Sequence, residues 1–261
     1  MAKQILVDEE LLGFSQGLAD AARNIVSQYF RRTYSIDSKS DQTPVTVADR
    51  EIEARMREMI AAQFPDHGIF GEEFGKTQAD AHHVWVLDPI DGTRSFITGM
   101  PVFGTLISLL ENRQPVFGMI EMPALGERWW GGVEIGARCN NERVVVSGCE
   151  SIEDCRLATT SPGMFDAEQQ KAVERVVDRT VNFRYGGDCY NYATLASGYL
   201  DLVIEADLKP YDFCALVPVV ESAGGVITDW QGARLTLEST GEVIAAATPE
   251  LHAQAVEILT G

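Results

Sequence analysis

Basic residues are scarce in this chain: 21 lysines and arginines stand against 39 aspartates and glutamates, a formal charge of −18 over 261 residues. A surface of that sign repels phosphodiester backbones, so direct contact with nucleic acid is not expected. Cysteine is also sparse, and it follows no pattern. The five (Cys139, Cys149, Cys155, Cys189 and Cys214) contain no C-x-x-C pair and are odd in number, which argues against a disulfide framework or a structural zinc site and fits a reducing compartment. Histidine is rarer still, with four in all, two of them adjacent. His82 and His83 fall at a strand entry, where neighbouring side chains are expected to point to opposite faces, so the pair is read as structural rather than as metal ligands. No apolar run approaches the roughly 20 residues of a membrane span. Residues 1–10 turn acidic before the core of a signal peptide forms, and no repeat or low-complexity tract is present. A cytoplasmic protein with no membrane partner is expected.

Hydrophobic residues make up 45% and charged residues 23%, so a substantial core is available to one large domain or to two closely packed halves. Helical spacing of apolar residues runs from about Asp8 to Arg31, through Leu11, Leu18, Ala22, Ile25 and Val26. A second helix is predicted from Val47 to Phe64, broken by Pro65-Asp66-His67-Gly68, with a polar connection carrying Lys39, Asp41, Thr43 and Pro44 before it. Pro101–Leu110 and Pro115–Met122 read as strands joined in a hairpin, with shorter strands near 127–131, 136–139 and 143–146. Residues 147–154 are polar and divide the chain into 1–150, an α+β half, and 151–261, an α/β half. In the second half strands (155–160, 181–185, 200–205, 226–229, 243–247) alternate with helices (166–179, 189–197, 211–223, 249–259), which predicts layered α/β architecture.

The most informative stretch is Trp85-Val86-Leu87-Asp88-Pro89-Ile90-Asp91-Gly92-Thr93-Arg94-Ser95-Phe96. An apolar strand delivers Asp88 at its carboxyl end. Pro89 forbids regular pairing beyond that point and predicts a turn that brings Asp91 to the same centre. Gly92-Thr93 opens a short helical turn, with Thr93 expected as its cap and amide N–H groups facing outward. Carboxylates able to hold a hard cation thus stand beside amides able to hold an anion, as metal-assisted phosphate chemistry requires. The negative surface does not oppose this, because bound divalent cations reverse the local sign.

Three other segments present acids at element boundaries: Ala48-Asp49, Gly71-Glu72-Glu73 and Tyr211-Asp212-Phe213. Singly, each has a plain explanation. Asp49 suits the positive end of a helix, Glu72-Glu73 an exposed turn, and Asp212 the cap of the helix that follows. Together with the central motif they resemble the inositol monophosphatase superfamily of metal-dependent phosphatases. The likeness extends upstream to Lys39-x-Asp41-x-x-Pro44-Val45-Thr46-x-Ala48-Asp49, and downstream to Gly224-Gly225 and Asp229-Trp230-x-Gly232, nearly the whole chain.

That resemblance implies a five-layer α-β-α-β-α sandwich of the inositol monophosphatase and fructose-1,6-bisphosphatase type, and commonly a homodimer. It implies that Glu72, Asp88, the Ile90 carbonyl, Asp91 and Asp212 ligate two or three Mg²⁺ ions, with Mn²⁺ as a substitute. Thr93 would position or deprotonate the attacking water with help from Asp49, the amides of Gly92 and Thr93 would hold the phosphate, and Glu73 would stand behind the ligands. Tyr211 departs from the tryptophan that many members carry before the last ligand.

The combination of Asp91-Gly92-Thr93-Arg94-Ser95-Phe96, Gly187-Asp188-Cys189-Tyr190 and Leu208-Lys209-Pro210-Tyr211-Asp212-Phe213-x-Ala215-Leu216-Val217-Pro218 looks like the histidinol-phosphatase branch, which makes histidinol in histidine synthesis. Its substrate carries an ammonium and an imidazole, which a wall of Asp188 and Glu205 beside Tyr190 and Asn191 would satisfy. Arg94 would neutralise phosphate or pair with a nearby acid. The plain reading of Asp188 is an N-cap for the helix through Ala193-Thr194-Leu195, and that of Trp129-Trp130 is packing. Two alternatives stay open: an inositol-1-monophosphatase or broad sugar or nucleotide phosphatase of the same superfamily, and a non-catalytic regulatory protein of a transcription complex.

Overall fold

In a computed structural model the chain is described over residues 9–33, 36–38, 44–132 and 134–261. The first helix, α1 (Glu9–Tyr29), buries Leu11, Leu18, Ala22, Ile25 and Val26 along one stripe, as its spacing predicts. Two short strands, β1 (Ile36–Ser38) and β2 (Pro44–Thr46), pair antiparallel; Lys39, Asp41 and Thr43 lie outside the described residues. Thr46 then caps α2 (Val47–Gln63), its hydroxyl accepting from the Ala48 amide. That helix buries Ile52, Met56 and Ile60, and on the same side two acids, Asp49 and Glu53.

Both helices pack on one face of an eight-stranded sheet. Its members are β3 (Gly68–Gly71), β4 (Gly75–Thr77), β5 (His83–Asp91), β6 (Gly104–Glu111), β7 (Gln114–Met122), β8 (Glu127–Gly132), β9 (Arg138–Cys139) and β10 (Glu142–Arg143). The spatial order is β10-β9-β8-β7-β6-β5-β3-β4, with β5 and β6 fully buried along most of their length. The predicted hairpin joins β6 to β7 through Asn112 and Arg113, both at positive φ (49° and 67°), the backbone that a tight two-residue hairpin turn requires. Trp129 and Trp130 are buried on β8, their indole N–H groups donating to Ser197 and to the Asn140 carbonyl, which bears out packing.

A short helix, α3 (Thr93–Ile97), follows β5. The second half supplies β11 (Arg156–Thr159), α4 (Ala167–Val177), β12 (Asn182–Tyr185), α5 (Tyr190–Ala196), β13 (Leu202–Glu205), α6 (Pro210–Phe213), α7 (Leu216–Ser222), β14 (Val226–Thr228), β15 (Val243–Ala246) and α8 (Pro249–Thr260). Its five strands form a second sheet, ordered β12-β11-β13-β15-β14. Helices α5 and α7 lie between the two sheets, and α4 and α8 cover the outer face of the second. The layers are therefore α-β-α-β-α, as expected.

The predicted helix 211–223 is two helices. Pro218 has no N–H to offer the carbonyl of Cys214, one turn back, and the helix breaks there. The freed carbonyl is not left bare, because the buried Ser108 hydroxyl of β6 donates to it at 3.0 Å. The strand predicted at 143–146 keeps only its first residue, in β10. Two strands that were not predicted, β3 and β4, extend the first sheet past β5; they are too short to show a period.

Candidate active site

The central motif is built differently from its sequence expectation. Pro89 does not end the strand. β5 runs through to Asp91, and its pairing with β6 shifts, Asp88 opposite Leu106 but Asp91 opposite Gly104, so three steps on one strand answer two on the other. This is a β-bulge. In a regular strand residues three apart face opposite sides, and the extra residue restores Asp91 to the side of Asp88. Proline is tolerated because its missing donor coincides with the bulge, and its own carbonyl accepts from the buried Thr105 hydroxyl at 2.8 Å.

Asp212 joins from α6. Single carboxylate oxygens of Asp88, Asp91 and Asp212 lie within 4.8 Å of one another. Asp212 is not the cap of α6, which is Lys209; it is the third residue of that helix, and its Oδ2 reaches back to accept from the Lys209 amide at 2.7 Å. Tyr211 packs edge-on against Phe70 of β3, tying α6 to the first sheet. Glu72 follows β3, its amide donating to the Leu87 carbonyl at 3.2 Å. Its carboxylate is not one of the three that converge, but it faces Asp88 and Asp212 closely enough to act on both.

The electrostatics are those of acids without a cation. Burial, then the charges of Glu72, Asp91 and Asp212, push Asp88 well above the usual carboxylate range. Burial, then Asp188 and Asp212, do the same to Asp91, against a 2.6 Å hydrogen bond from the Cys189 amide. Asp212 is raised to about 7, chiefly by burial. Asp49, on the first turn of α2, is raised to about 7 by burial, although Thr46 donates to its Oδ2 from both amide (2.8 Å) and hydroxyl (2.5 Å). Its Oδ1 and the Oδ1 of Asp88 are buried with no hydrogen-bond partner among the described residues. Buried carboxylate oxygens left unpaired are costly, and an oxygen-seeking divalent cation is the partner that such a donor set fits.

Thr93 is not the cap of α3. That position is Gly92, in the left-handed region at φ 80°, where a Cβ would also stand 2.8 Å from the Asp188 carboxyl carbon. Thr93 is the first helical residue, and its hydroxyl donates to the Ile90 carbonyl at 3.1 Å. Asp188 does not cap α5 with its side chain; it accepts from the Ser95 hydroxyl at 2.7 Å, beside Gly92. Arg94 is exposed and makes no ion pair among the described residues.

Carboxyl ends of strands from both sheets border one cleft, lined among others by Asp91, Thr160, Asp188, Tyr192, Glu205 and Asp212. Glu205, at the end of β13, is buried and pushed up to about 8 by burial, while accepting from the Thr160 amide (3.1 Å), the Thr160 hydroxyl (2.5 Å) and the Tyr192 hydroxyl (3.0 Å). The wall expected beside it is corrected in part. Tyr190 turns away, its hydroxyl donating to Glu127 at 3.2 Å, and Asn191 is buried behind Gly187. Tyr192, two residues on and so about 200° round the helix from Tyr190, faces the cleft instead. Thr160 had no signal in the sequence.

Glu53 was also missed, although Asp49, Glu53 and Arg57 recur at four-residue spacing on one face of α2. Its carboxylate accepts from the Glu73 amide (2.6 Å), the Phe74 amide (3.1 Å) and Arg57 Nε (2.7 Å), so it fixes the turn that carries Glu72. A Cβ on Gly71 would fall 2.0 Å from Glu53 Oε1, and only glycine fits.

Layers and site together define a phosphatase-type α/β sandwich. The model of the inositol monophosphatase family matches residues 7–260, and the chain belongs to that family. The chloroplastic bifunctional phosphatase IMPL2 of Arabidopsis thaliana is 47% identical over 97% of this chain and 77% of that protein. A histidinol-phosphatase of Chlorobaculum parvum is 37% identical over 87% of this chain and 89% of its own. The solved inositol monophosphatase of Zymomonas mobilis superposes with a TM-score of 0.90, at 43% identity, over 97% of this chain and 98% of that one. Among the described residues no helix is long and apolar enough to cross a membrane.

Proposed function

We propose that this phosphatase is a Mg²⁺-dependent phosphomonoesterase acting on L-histidinol phosphate. The observation that carries the substrate reading is the acidity of the cleft beyond the three converging carboxylates. Asp188 and Glu205 add two more acids, and among the described residues no lysine or arginine lines it. A leaving group bearing an ammonium and an imidazole is matched by such a wall. An inositol ring offers only neutral hydroxyls and gains nothing from two further charges. The names of the relatives divide between the two activities, so the wall rather than the likeness supports the choice.

In this reading Asp88, Asp91, Asp212, Glu72 and the Ile90 carbonyl hold the Mg²⁺ ions. When bound, these polarise the phosphoryl oxygens and steady both the entering and the leaving oxygen. The residues of the chain do the rest. The amides of Gly92 and Thr93, at a helix start where no intrahelical acceptor exists, bind phosphate oxygens. Thr93 already spends its proton on the Ile90 carbonyl. Its oxygen is thereby left as an acceptor, which orients a water for in-line attack. Asp49, with one oxygen free of hydrogen bonds among the described residues and a proton affinity near neutrality, takes the proton that the water gives up. Asp188, steadied by Ser95, and Glu205 orient the cationic end of the ester.

Phosphate release measured on histidinol phosphate, inositol 1-phosphate and a nucleotide 3′-phosphate, with and without Mg²⁺, tests the reading. The expected result is a kcat/KM highest for histidinol phosphate and turnover abolished by a chelator. A preference for inositol 1-phosphate would overturn the substrate, and chelator-resistant turnover would overturn the metal.

A further inference from the structure

A second set of metal-type donors stands at the opposite end of β5. His82 and His83 were expected to diverge, but His82 precedes the strand in a bend, where alternation does not apply. Both rings turn toward one carboxylate oxygen. His82 Nε2 lies 3.4 Å, and His83 Nε2 3.5 Å, from Oε1 of Glu111. Glu111 is the residue opposite His83 in the β5–β6 ladder and is buried. The two rings stand 4.4 Å apart at 78° to each other. Nε2 of His83 is itself buried and makes no hydrogen bond among the described residues.

These separations are too long for a charge-assisted hydrogen bond, which closes to about 2.7–2.9 Å. They match another geometry. Zinc holds imidazole nitrogen and carboxylate oxygen at about 2.0–2.2 Å, and two such donors at the tetrahedral angle stand roughly 3.4 Å apart. We propose that His82, His83 and Glu111 form a site for a borderline-soft divalent transition ion, zinc in the first instance, with water in the fourth position. The exposed side of His82 gives the ion a way in. The other side is closed, since His67 packs on His83 with ring centroids 4.8 Å apart and accepts from the Trp85 indole at 3.1 Å, so His83 is held in place before any ion arrives.

The site differs from the carboxylate cluster in its chemistry and its place. Two imidazoles and one carboxylate discriminate against Mg²⁺, which seeks oxygen donors in octahedral array. Five steps of strand separate His83 from Asp88, roughly 17 Å at the usual rise, so an ion there touches no reacting group. It ties the end of β5 to the end of β6, and it stabilises the folded chain by preferential binding.

Zn²⁺ titration calorimetry on the whole chain saturated with Mg²⁺ tests the proposal, with Co²⁺ absorption as the ligand-sensitive companion. The expected result is one further equivalent of Zn²⁺, a cobalt spectrum of four-coordinate nitrogen–oxygen type, and a raised melting temperature. In His82→Ala and Glu111→Gln the affinity falls at least tenfold, with phosphatase turnover unchanged in His82→Ala. His82 is half-exposed, so its replacement leaves packing intact if Glu111→Gln disturbs the strand pair. Zinc affinity equal in the wild type and both variants, or zinc binding lost only in Asp91→Asn, would overturn the proposal. The three residues would then be a proton-linked cluster and nothing more.

Discussion

Buried carboxylates occur in two parts of this molecule and are treated in opposite ways. In the scaffold three have an arginine of their own, and Glu111 stands apart beside His82 and His83. Glu121 on β7 lies between Arg23 at 2.5 Å and Arg128 at 2.6 Å. Glu53 has Arg57 at 2.7 Å. Asp201 is gripped by Arg156 at 2.7 Å, and although burial alone would raise it, the hydrogen bonds from Arg156 and Ser147 hold it below the usual carboxylate range. Around the cleft, Asp88, Asp91, Asp49, Asp212 and Glu205 have no arginine or lysine within ion-pair distance among the described residues, and all five are raised. A chain that supplies arginine to some buried acids and withholds it from others has left a place for a cation of another kind. The comparison also locates the cost of function. The scaffold acids contribute to folding, while the cleft acids oppose it until something neutralises them.

The largest effect that would break this contrast is a charge removal on each side. Asp91→Asn is expected to lower kcat/KM at least about a thousandfold, the several kcal/mol that a lost metal ligand forfeits in the transition state, and yet to raise the melting temperature of the metal-free protein. Arg128→Ala is expected to do the reverse, costing about 1.5–3 kcal/mol of unfolding free energy by leaving one oxygen of Glu121 unpaired and Arg23 as its remaining cation, with turnover of the folded fraction preserved. Denaturant unfolding in a chelator beside initial rates in Mg²⁺ separates the two. A destabilised Asp91→Asn would mean that the cleft acids are structural after all.

A pH titration of the metal-free protein gives the next effect. Asp49 and Asp212 rise to about 7 and Glu205 to about 8, from ordinary values of 3.8 and 4.5. Between those limits the folded chain binds protons that the unfolded chain has released, so the slope of stability against pH is negative there. Their neutral forms contribute stability that is complete below about pH 4 and is lost as pH rises through about 7 to 8. The chelated protein should therefore melt at progressively lower temperature over that span, and Mg²⁺ should flatten the decline by standing in for the protons. Equal slopes with and without Mg²⁺ would contradict the assignment of the cluster.

How much of this was legible before any coordinates follows from the same physics. Helices α1 and α2 were readable because an apolar stripe repeats over many turns, and the hairpin because residues 111–114 interrupt two apolar runs. The acids of the cleft could be picked out because each ends or begins an element. What the sequence hid was geometry set by partners far along the chain. The bulge between Asp88 and Asp91 depends on how β6 pairs, and Glu53 acquires its role only when Gly71 lets the turn after β3 approach it. The exchange of Tyr190 for Tyr192 turns on which face of a seven-residue helix meets the cleft, which is set by the packing of α5 between the two sheets and not by local composition.

The smallest effect is the sharpest on substrate. Glu205→Gln keeps the size of the side chain; its single carbonyl oxygen still accepts from the Thr160 amide and hydroxyl, and its NH2 donates to the Tyr192 oxygen, so the cleft should hold its shape. It removes the charge that Glu205 bears once bound cations offset the neighbouring Asp91 and Asp188, on the wall that faces the leaving group. A charge-assisted hydrogen bond is worth about 1.5–3 kcal/mol, of which the neutral amide retains part, so kcat/KM for histidinol phosphate should fall about tenfold. Inositol 1-phosphate brings no cation to that wall, and its kcat/KM should move less than about threefold. The ratio of the two is the quantity to measure, since a general loosening of the site would lower both alike. If both fall together, Glu205 serves the fold alone and the acidic wall ceases to support histidinol phosphate. If only the cationic substrate suffers, the cleft acids divide by task, Asp88, Asp91 and Asp212 for metal and Asp188 with Glu205 for the ammonium and imidazole.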